Sequence, residues 1–324
     1  MKLTFCGAAK EVTGVNFLLE GSGTKTKPGV KILIACGLIQ GSHVIDEKNL
    51  NPFPYKAADV EYLFITHAHM DHIGRIPKLY KEGFRGKIIC TAPTRDLAAL
   101  SLRDGFRILE DSCKRRGLTA PYTPADIEAS LKLFEPVEYD KLVKISRPGS
   151  RSGIAHGSRP GSPTTAFEFC LRESGHILGA SMIEIWMDKQ KIVFTGDLGN
   201  IPTPIIRQTA HVDETDYLVI ESAYGDRNHQ DVTTRKLMLE RIIEEVVSQK
   251  GVLMIPVAAM EKAQELLFEL NDLIENNRVP RLPVFIDSPL AIKITEVYNR
   301  YHSLFNDEAR KLVEAGDDLF KFPG

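Results

Sequence analysis

The sequence predicts an α/β protein in two parts, and three observations carry that expectation. Short apolar strands separated by glycine-containing turns run through the first forty residues and resume over residues 167–220. The apolar run Tyr62–Ile65 reads as a buried strand that empties into a histidine-rich loop. Beyond residue 225 helix and strand alternate, the rhythm of a parallel sheet flanked by helices. The boundary is therefore expected near residue 225, with a β-rich domain over 1–225 and an α/β unit over 226–324.

Bulk properties narrow the class. A chain of 324 residues, 43% hydrophobic and 26% charged, has the composition of a soluble globular protein with room for more than one domain. Net charge is −2, from 41 basic and 43 acidic side chains, so a nucleic-acid partner would need a local basic groove. Five scattered cysteines (Cys6, Cys36, Cys90, Cys113, Cys170) form no C-x-x-C pair, which argues against a disulfide framework or a zinc ribbon and for a reducing compartment. Met1–Gly7 starts directly as a strand without an apolar leader, and no stretch approaches membrane-spanning length. A cytoplasmic protein with no membrane partner is expected.

Taken in order, Leu3–Cys6, Val15–Glu20 and Lys31–Cys36 are expected to form a β meander, with residues 21–29 as a hairpin loop. Strands follow at Tyr62–Thr66 and Lys87–Thr91. Helical periodicity covers Thr94–Arg116 (Leu97, Leu100, Phe106, Leu109), with Gly105 a weak point, and a short helix is expected over Asp126–Phe134. Residues 146–165 contain Ser-Arg-Pro-Gly-Ser twice, at 146–150 and 158–162, and read as a solvated insertion between strands. Strands resume at Phe167–Leu171, Met182–Met187, Lys191–Thr195 and, buried, Tyr217–Ile220. The α/β unit is expected to contain helices at Thr234–Gln249, Glu261–Asn276, Leu290–Leu304 and Asp307–Glu314, with strands at Gly251–Pro256 and Pro283–Asp287. Two strands would leave those helices poorly covered, so the sequence is expected to be incomplete at its C-terminus.

The chemistry centres on Phe64-Ile65-Thr66-His67-Ala68-His69-Met70-Asp71-His72-Ile73-Gly74. Three imidazoles and one carboxylate follow a strand end, where a loop can turn them inward together. Imidazole nitrogen with carboxylate oxygen is the donor set of zinc and its borderline neighbours. His176, in Ser174-Gly175-His176-Ile177-Leu178-Gly179, and Asp197, in Thr195-Gly196-Asp197-Leu198-Gly199, each follow a strand and are flanked by glycine. Alone, a turn histidine is more often structural and a turn aspartate as often a cap. Beside the first loop both become candidate ligands, because two metals need more donors than one loop supplies.

His67-x-His69-x-Asp71-His72, His176 and Asp197 together resemble the metallo-β-lactamase fold signature, an αββα sandwich with a dinuclear metal site. Residues 32–41, 174–180 and Glu221-Ser222-Ala223-Tyr224-Gly225-Asp226-Arg227 are similar to the β-CASP branch, the RNA-processing nucleases related to ribonuclease J and the cleavage-and-polyadenylation endonuclease. Residues 255–265 and 285–291 are similar to that branch's inserted α/β domain, of which 226–324 would be the first part. The resemblance implies one metal held by His67, His69 and His176, a second by Asp71 and His72, and Asp197 bridging both. The ions would be two divalent cations, zinc first and manganese second. It also implies hydrolysis of single-stranded RNA by an activated hydroxide, catalytic roles for Asp71 and for Glu221 as support to a downstream histidine, and a homodimer or processing complex as the assembly.

Two departures qualify this. The family's aspartate before Cys-Gly in the third strand is Ala35 here, and losing such a support typically costs ~10–100-fold in metal affinity or activity. The family's histidines beyond the inserted domain lie past residue 324. His229, where the branch often carries histidine, reads by itself as an exposed loop residue. Two alternatives therefore remain: a thioester or lactone hydrolase on the same fold, or a catalytically impaired metal- or RNA-binding fragment.

Overall fold

The computed structural model describes residues 1–23, 29–41, 47–146, 165–228 and 232–321. The Ser-Arg-Pro-Gly-Ser tract from 147 to 164, the tip of the 21–29 loop and His229 lie outside the described residues. The chain divides into two compact units, the first Met1–Ser174, Gly179–Leu198 and Ala210–Glu221, the second Gly175–Leu178, Gly199–Thr209 and Ser222–Gly324.

The first unit is an α/β sandwich built on two sheets. One contains β1 (Lys2–Phe5), β2 (Phe17–Glu20), β3 (Lys31–Ile34), β4 (Tyr62–Phe64), β5 (Lys87–Cys90) and β6 (Phe134–Pro136), hydrogen-bonded in that order. The meander β1–β2–β3 is antiparallel, and from β3 to β6 every pairing is parallel. The other contains β7 (Val143–Ser146), β8 (Thr165–Glu173), β9 (Ser181–Met187), β10 (Gln190–Phe194) and β11 (Tyr217–Val219), antiparallel except for β10 against β11.

Period-two alternation builds the core between the sheets. Phe17, Leu19, Ile32, Ile34 and Phe64 from the first sheet meet Phe167, Phe169, Leu171, Ile183, Ile185 and Phe194 from the second. Phe64 meets Phe169 edge-on at 4.8 Å between ring centroids, and Tyr62 meets Phe167 likewise at 5.2 Å. Intervening residues of the parallel strands, Leu33, Leu63 and Ile88, point the other way and are also buried, as expected of parallel strands covered on both faces.

The helices of this unit are α1 (Met70–Ile73), α2 (Ile76–Lys81), α3 (Ala92–Arg115) and α4 (Pro124–Leu131). Thr91 caps α3 by accepting from the Thr94 amide, with Pro93 in its first turn. Gly105 does not interrupt α3. A Cβ there would lie 2.6 Å from the Met70 methyl, so the glycine makes room for the side chain that opens α1. The short helix after it ends earlier than expected, because Phe134 is taken into β6.

The second unit carries α5 (Val232–Ser248), α6 (Lys262–Glu275), α7 (Pro289–Arg300) and α8 (Asp307–Glu314). Ile243, Leu270, Leu273, Ile274 and Val279 form one cluster, and Tyr298, Phe305 and Phe320 pack as aromatics. The expected strands Gly251–Pro256 and Pro283–Asp287 are not formed among the described residues. They have strand-like composition but no hydrogen-bonded neighbour, and Val252, Met254 and Phe285 are 87%, 83% and 88% exposed. Tyr217–Val219 does pair, yet as an exposed edge rather than a buried strand. No helix among the described residues is long and apolar enough to cross a membrane.

Candidate metal centre

The parallel ladder delivers the histidine loop. Ile65 continues β4 by donating to the Ile89 carbonyl, and the Thr66 carbonyl then accepts from the Ser181 amide across to the other sheet. Past Ala68 the chain tightens into α1, which holds Asp71 and His72 and has His69 at its N-cap. Main-chain bonds fix this loop from the β3 side: Cys36 N–H donates to the His72 carbonyl at 2.7 Å, Leu38 to Met70 at 2.9 Å, and Val15 to Asp71 at 2.9 Å. A Cβ at Gly37 would fall 1.4 Å from the Asp71 carbonyl oxygen, so only glycine permits this approach.

Thr66 is the group that sequence reasoning missed. Its hydroxyl oxygen lies 3.1 Å from His67 Nδ1 and 3.2 Å from His72 Nδ1, and all three residues are buried. One hydroxyl oxygen has two lone pairs and can accept an N–H from each ring. With both rings donating from Nδ1, both Nε2 lone pairs face away from Thr66, the tautomer that ligation through Nε2 requires. The only sequence signal was a hydroxyl residue between strand and first histidine.

Asp197 meets those Nε2 atoms. Its Oδ1 is 3.3 Å from His72 Nε2 and its Oδ2 is 3.7 Å from His67 Nε2, one carboxylate oxygen for each ring. Asp71 Oδ2 stands 3.8 Å from His72 Nε2. Within the first unit, the ligand-capable atoms of His67, His69 and Asp197 lie within 4.8 Å of one another, close enough to hold a metal ion, while His176 lies on the turn Gly175–Leu178 of the second unit. His72 and Asp71 join this group through the Asp197 and His72 contacts rather than within it. Gly196 lets the aspartate turn approach, since a Cβ there would be 2.6 Å from that of Thr66.

Glu221 follows β11 and braces the same turn. Its Oε1 accepts from the Leu198 amide at 3.2 Å, and its own amide donates to Thr195 Oγ1 at 3.2 Å. Glu221 thus holds the backbone on the far side of Asp197. The turn carrying His176 is equally close-packed. Gly175 has φ +68°, and a Cβ on it would lie 2.7 Å from the Thr209 amide nitrogen. Ala35, where a supporting aspartate was looked for, is buried at φ +58°, with its amide bonded to the Phe64 carbonyl and its carbonyl to Asn16. The metal loop here leans on backbone bonds from Cys36 and Leu38 instead.

The donor set is imidazole and carboxylate throughout. Cys36, whose amide bonds to the His72 carbonyl, is unsuited to ligation because burial pushes its thiol up to about 12. Four neutral imidazoles and two carboxylates fit borderline divalent cations, and no exposed or charged thiol competes.

The chain is similar to known proteins. Residues 43–128 match the metallo-beta-lactamase superfamily and residues 263–324 match the Beta-Casp domain. Ribonuclease TTHA0252 of Thermus thermophilus is 29% identical over 324 residues, covering 100% of this chain and 67% of the relative. Cleavage and polyadenylation specificity factor 73 of Drosophila melanogaster is 30% identical over 95% of this chain and 41% of the relative. An RNase J-like protein of Methanocaldococcus jannaschii is 30% identical over 88% of this chain and 59% of the relative. The chain therefore spans between two fifths and two thirds of the length of these curated relatives. Sandwich, histidine loop and matched segments agree: the chain carries a metallo-beta-lactamase superfamily domain, matched over residues 43–128, and a Beta-Casp domain, matched over residues 263–324.

Proposed function

We propose that this chain carries the dinuclear metal centre of an RNA-processing hydrolase that cleaves phosphodiester bonds. The observation that carries this reading is the placement of Asp197, one oxygen toward His67 and the other toward His72. A carboxylate set this way is suited to bridging two ions. In this reading His67, His69 and His176 hold one ion, Asp71 and His72 hold the other, and Asp197 serves both, with zinc favoured by the nitrogen-rich donor set and manganese second. Such a pair of ions, when bound, supplies Lewis acidity and a water acidic enough to act at neutral pH.

The chain's own residues do the positioning. Thr66 orients two rings, the Cys36 and Leu38 amides hold the loop that bears them, and Glu221 steadies the turn of Asp197. RNA as substrate is supported by the relatives, named as a ribonuclease, a cleavage and polyadenylation factor and an RNase J-like protein. A thioester or lactone hydrolase would have no use for the Beta-Casp segment. A cytoplasmic location fits the cysteine usage.

The test measures metal content by mass spectrometry and cleavage of a labelled single-stranded RNA, in the wild type and in Asp71→Ala. Two ions per chain and cleavage that disappears in the variant are expected. Metal without cleavage would assign the chain to a binding scaffold, and absence of metal would overturn the reading altogether.

A further inference from the structure

Glu261 combines three unfavourable features. It is buried at 2% exposure, its backbone sits at φ +65°, ψ −55°, and its Oε1 is buried without a hydrogen-bond partner among the described residues. A non-glycine residue in such a conformation costs on the order of 1–3 kcal/mol, and an unsatisfied buried oxygen adds a similar amount. Such costs persist where surrounding structure enforces them, and they point to a purpose at that position.

The other oxygen shows what the arrangement secures. Glu261 Oε2 accepts from the Leu178 amide at 3.2 Å and from the Tyr298 hydroxyl, which itself lies 3.4 Å from the Leu178 nitrogen. Leu178 closes the turn Gly175–Leu178, two residues after His176, and is buried. At the flank of this turn the Ser174 amide donates to the Ala180 carbonyl. The Leu178 amide is thus held by a side-chain carboxyl from the start of α6, with Tyr298 of α7 behind it.

We propose that Glu261 is a positioning residue for His176, acting through the Leu178 amide with Tyr298 as its buttress. This rests on the metal-centre reading for its consequence, though not for its geometry. A neutral carboxyl suffices for the task, since its carbonyl oxygen still accepts an N–H and the group avoids burying a charge. Burial pushes the Glu261 carboxyl up to about 8, which keeps it neutral at physiological pH. Glu265 reinforces that rise, while Lys262 and the bonds from Tyr298 and Leu178 oppose it.

The experiment compares Glu261→Gly, Glu261→Gln and Tyr298→Phe in the full 324-residue chain. Glycine relieves the positive φ and should leave Tm unchanged or raised, yet it removes the acceptor. Its Leu178 amide should exchange at least ~10-fold faster in the metal-free protein, and zinc affinity, read by competition with a chromophoric chelator, should fall ~10-fold. The cobalt-substituted protein should show a changed visible spectrum. Glutamine, which retains an acceptor oxygen, should restore both amide protection and metal affinity, and Tyr298→Phe should fall between. A role confined to packing would move Tm and metal affinity together. Wild-type exchange and wild-type metal affinity in Glu261→Gly would overturn the proposal. Should the wild type take up no zinc, the metal-centre reading fails, while amide exchange and the His176 imidazole resonances of the metal-free variants still decide the role of Glu261.

Discussion

His67 and His72 are held by means different from those that hold the turn of His176. The first two lean on Thr66, next to His67 and six residues before His72, and on a loop pinned by backbone bonds from the segment that follows β3. The His176 turn depends on a carboxyl 83 residues from Leu178, supplied from the N-cap of α6. The first arrangement is local and rests on an uncharged hydroxyl and main-chain amides. The second spans the sequence and tolerates a strained backbone and an orphan oxygen. Local support survives changes elsewhere in the chain, whereas remote support ties a donor to the folding of helices far along it.

That contrast is sharpened first by pH, where the largest effect is expected. Burial keeps Glu261 protonated in the folded chain up to about 8, while the unfolded chain releases that proton near the ordinary glutamate value of 4.5. The folded state therefore binds more protons between those values, and stability falls as pH rises through that window. At about 1.4 kcal/mol per unit, the contribution lost is on the order of 3–5 kcal/mol. Urea unfolding at pH 5 and pH 8.5 should show the wild type losing more stability than Glu261→Gln. Equal losses would show that the carboxyl carries no such burden. The local support has no counterpart to this loss, since Thr66 does not titrate.

A second expectation concerns Thr66→Val, which keeps shape and removes the hydroxyl. Zinc affinity should drop ~10–100-fold, as for loss of a group that orients ligand rings, with Tm nearly unchanged. Because one oxygen serves both rings, the loss should extend to both ions rather than to one. Titration showing one site intact would break the picture of a shared acceptor.

The smallest effect is expected at Ala35, the position beside the local support. At φ +58°, replacing alanine by glycine removes backbone strain and should stabilise by about 1 kcal/mol, or roughly 2 °C in Tm. Metal affinity should stay within about two-fold of wild type, because Cys36 and Leu38 hold the loop through their own amides. A large loss of metal would mean that the alanine conformation itself supports the site.

Most of the first unit was legible in the sequence because its signals are local. Alternation along Phe167, Phe169 and Leu171 and along Ile183 and Ile185 marks the face that is buried, and the donors of the histidine loop announce their chemistry by type. Asp197 and His176 became legible only beside that loop. Thr66 escaped because a threonine before a histidine has no periodicity to reveal which rings it will meet. Glu261 escaped because nothing at residue 261 refers to residue 178. The expected strands at 251–256 and 283–287 failed for the complementary reason: β-branched and aromatic composition reports a preference, whereas a strand exists only when another backbone is there to pair with it.

Those same segments govern how the isolated polypeptide behaves in the tube. Val252, Met254, Ile255 and Val257, with Val284, Phe285 and Ile286, offer water a run of apolar side chains on backbone that pairs with no strand among the described residues. Such stretches template strand addition between copies, so concentrated samples should self-associate through them before the folded core is lost. Met254→Lys or Phe285→Lys is the place to begin when the preparation must stay dispersed.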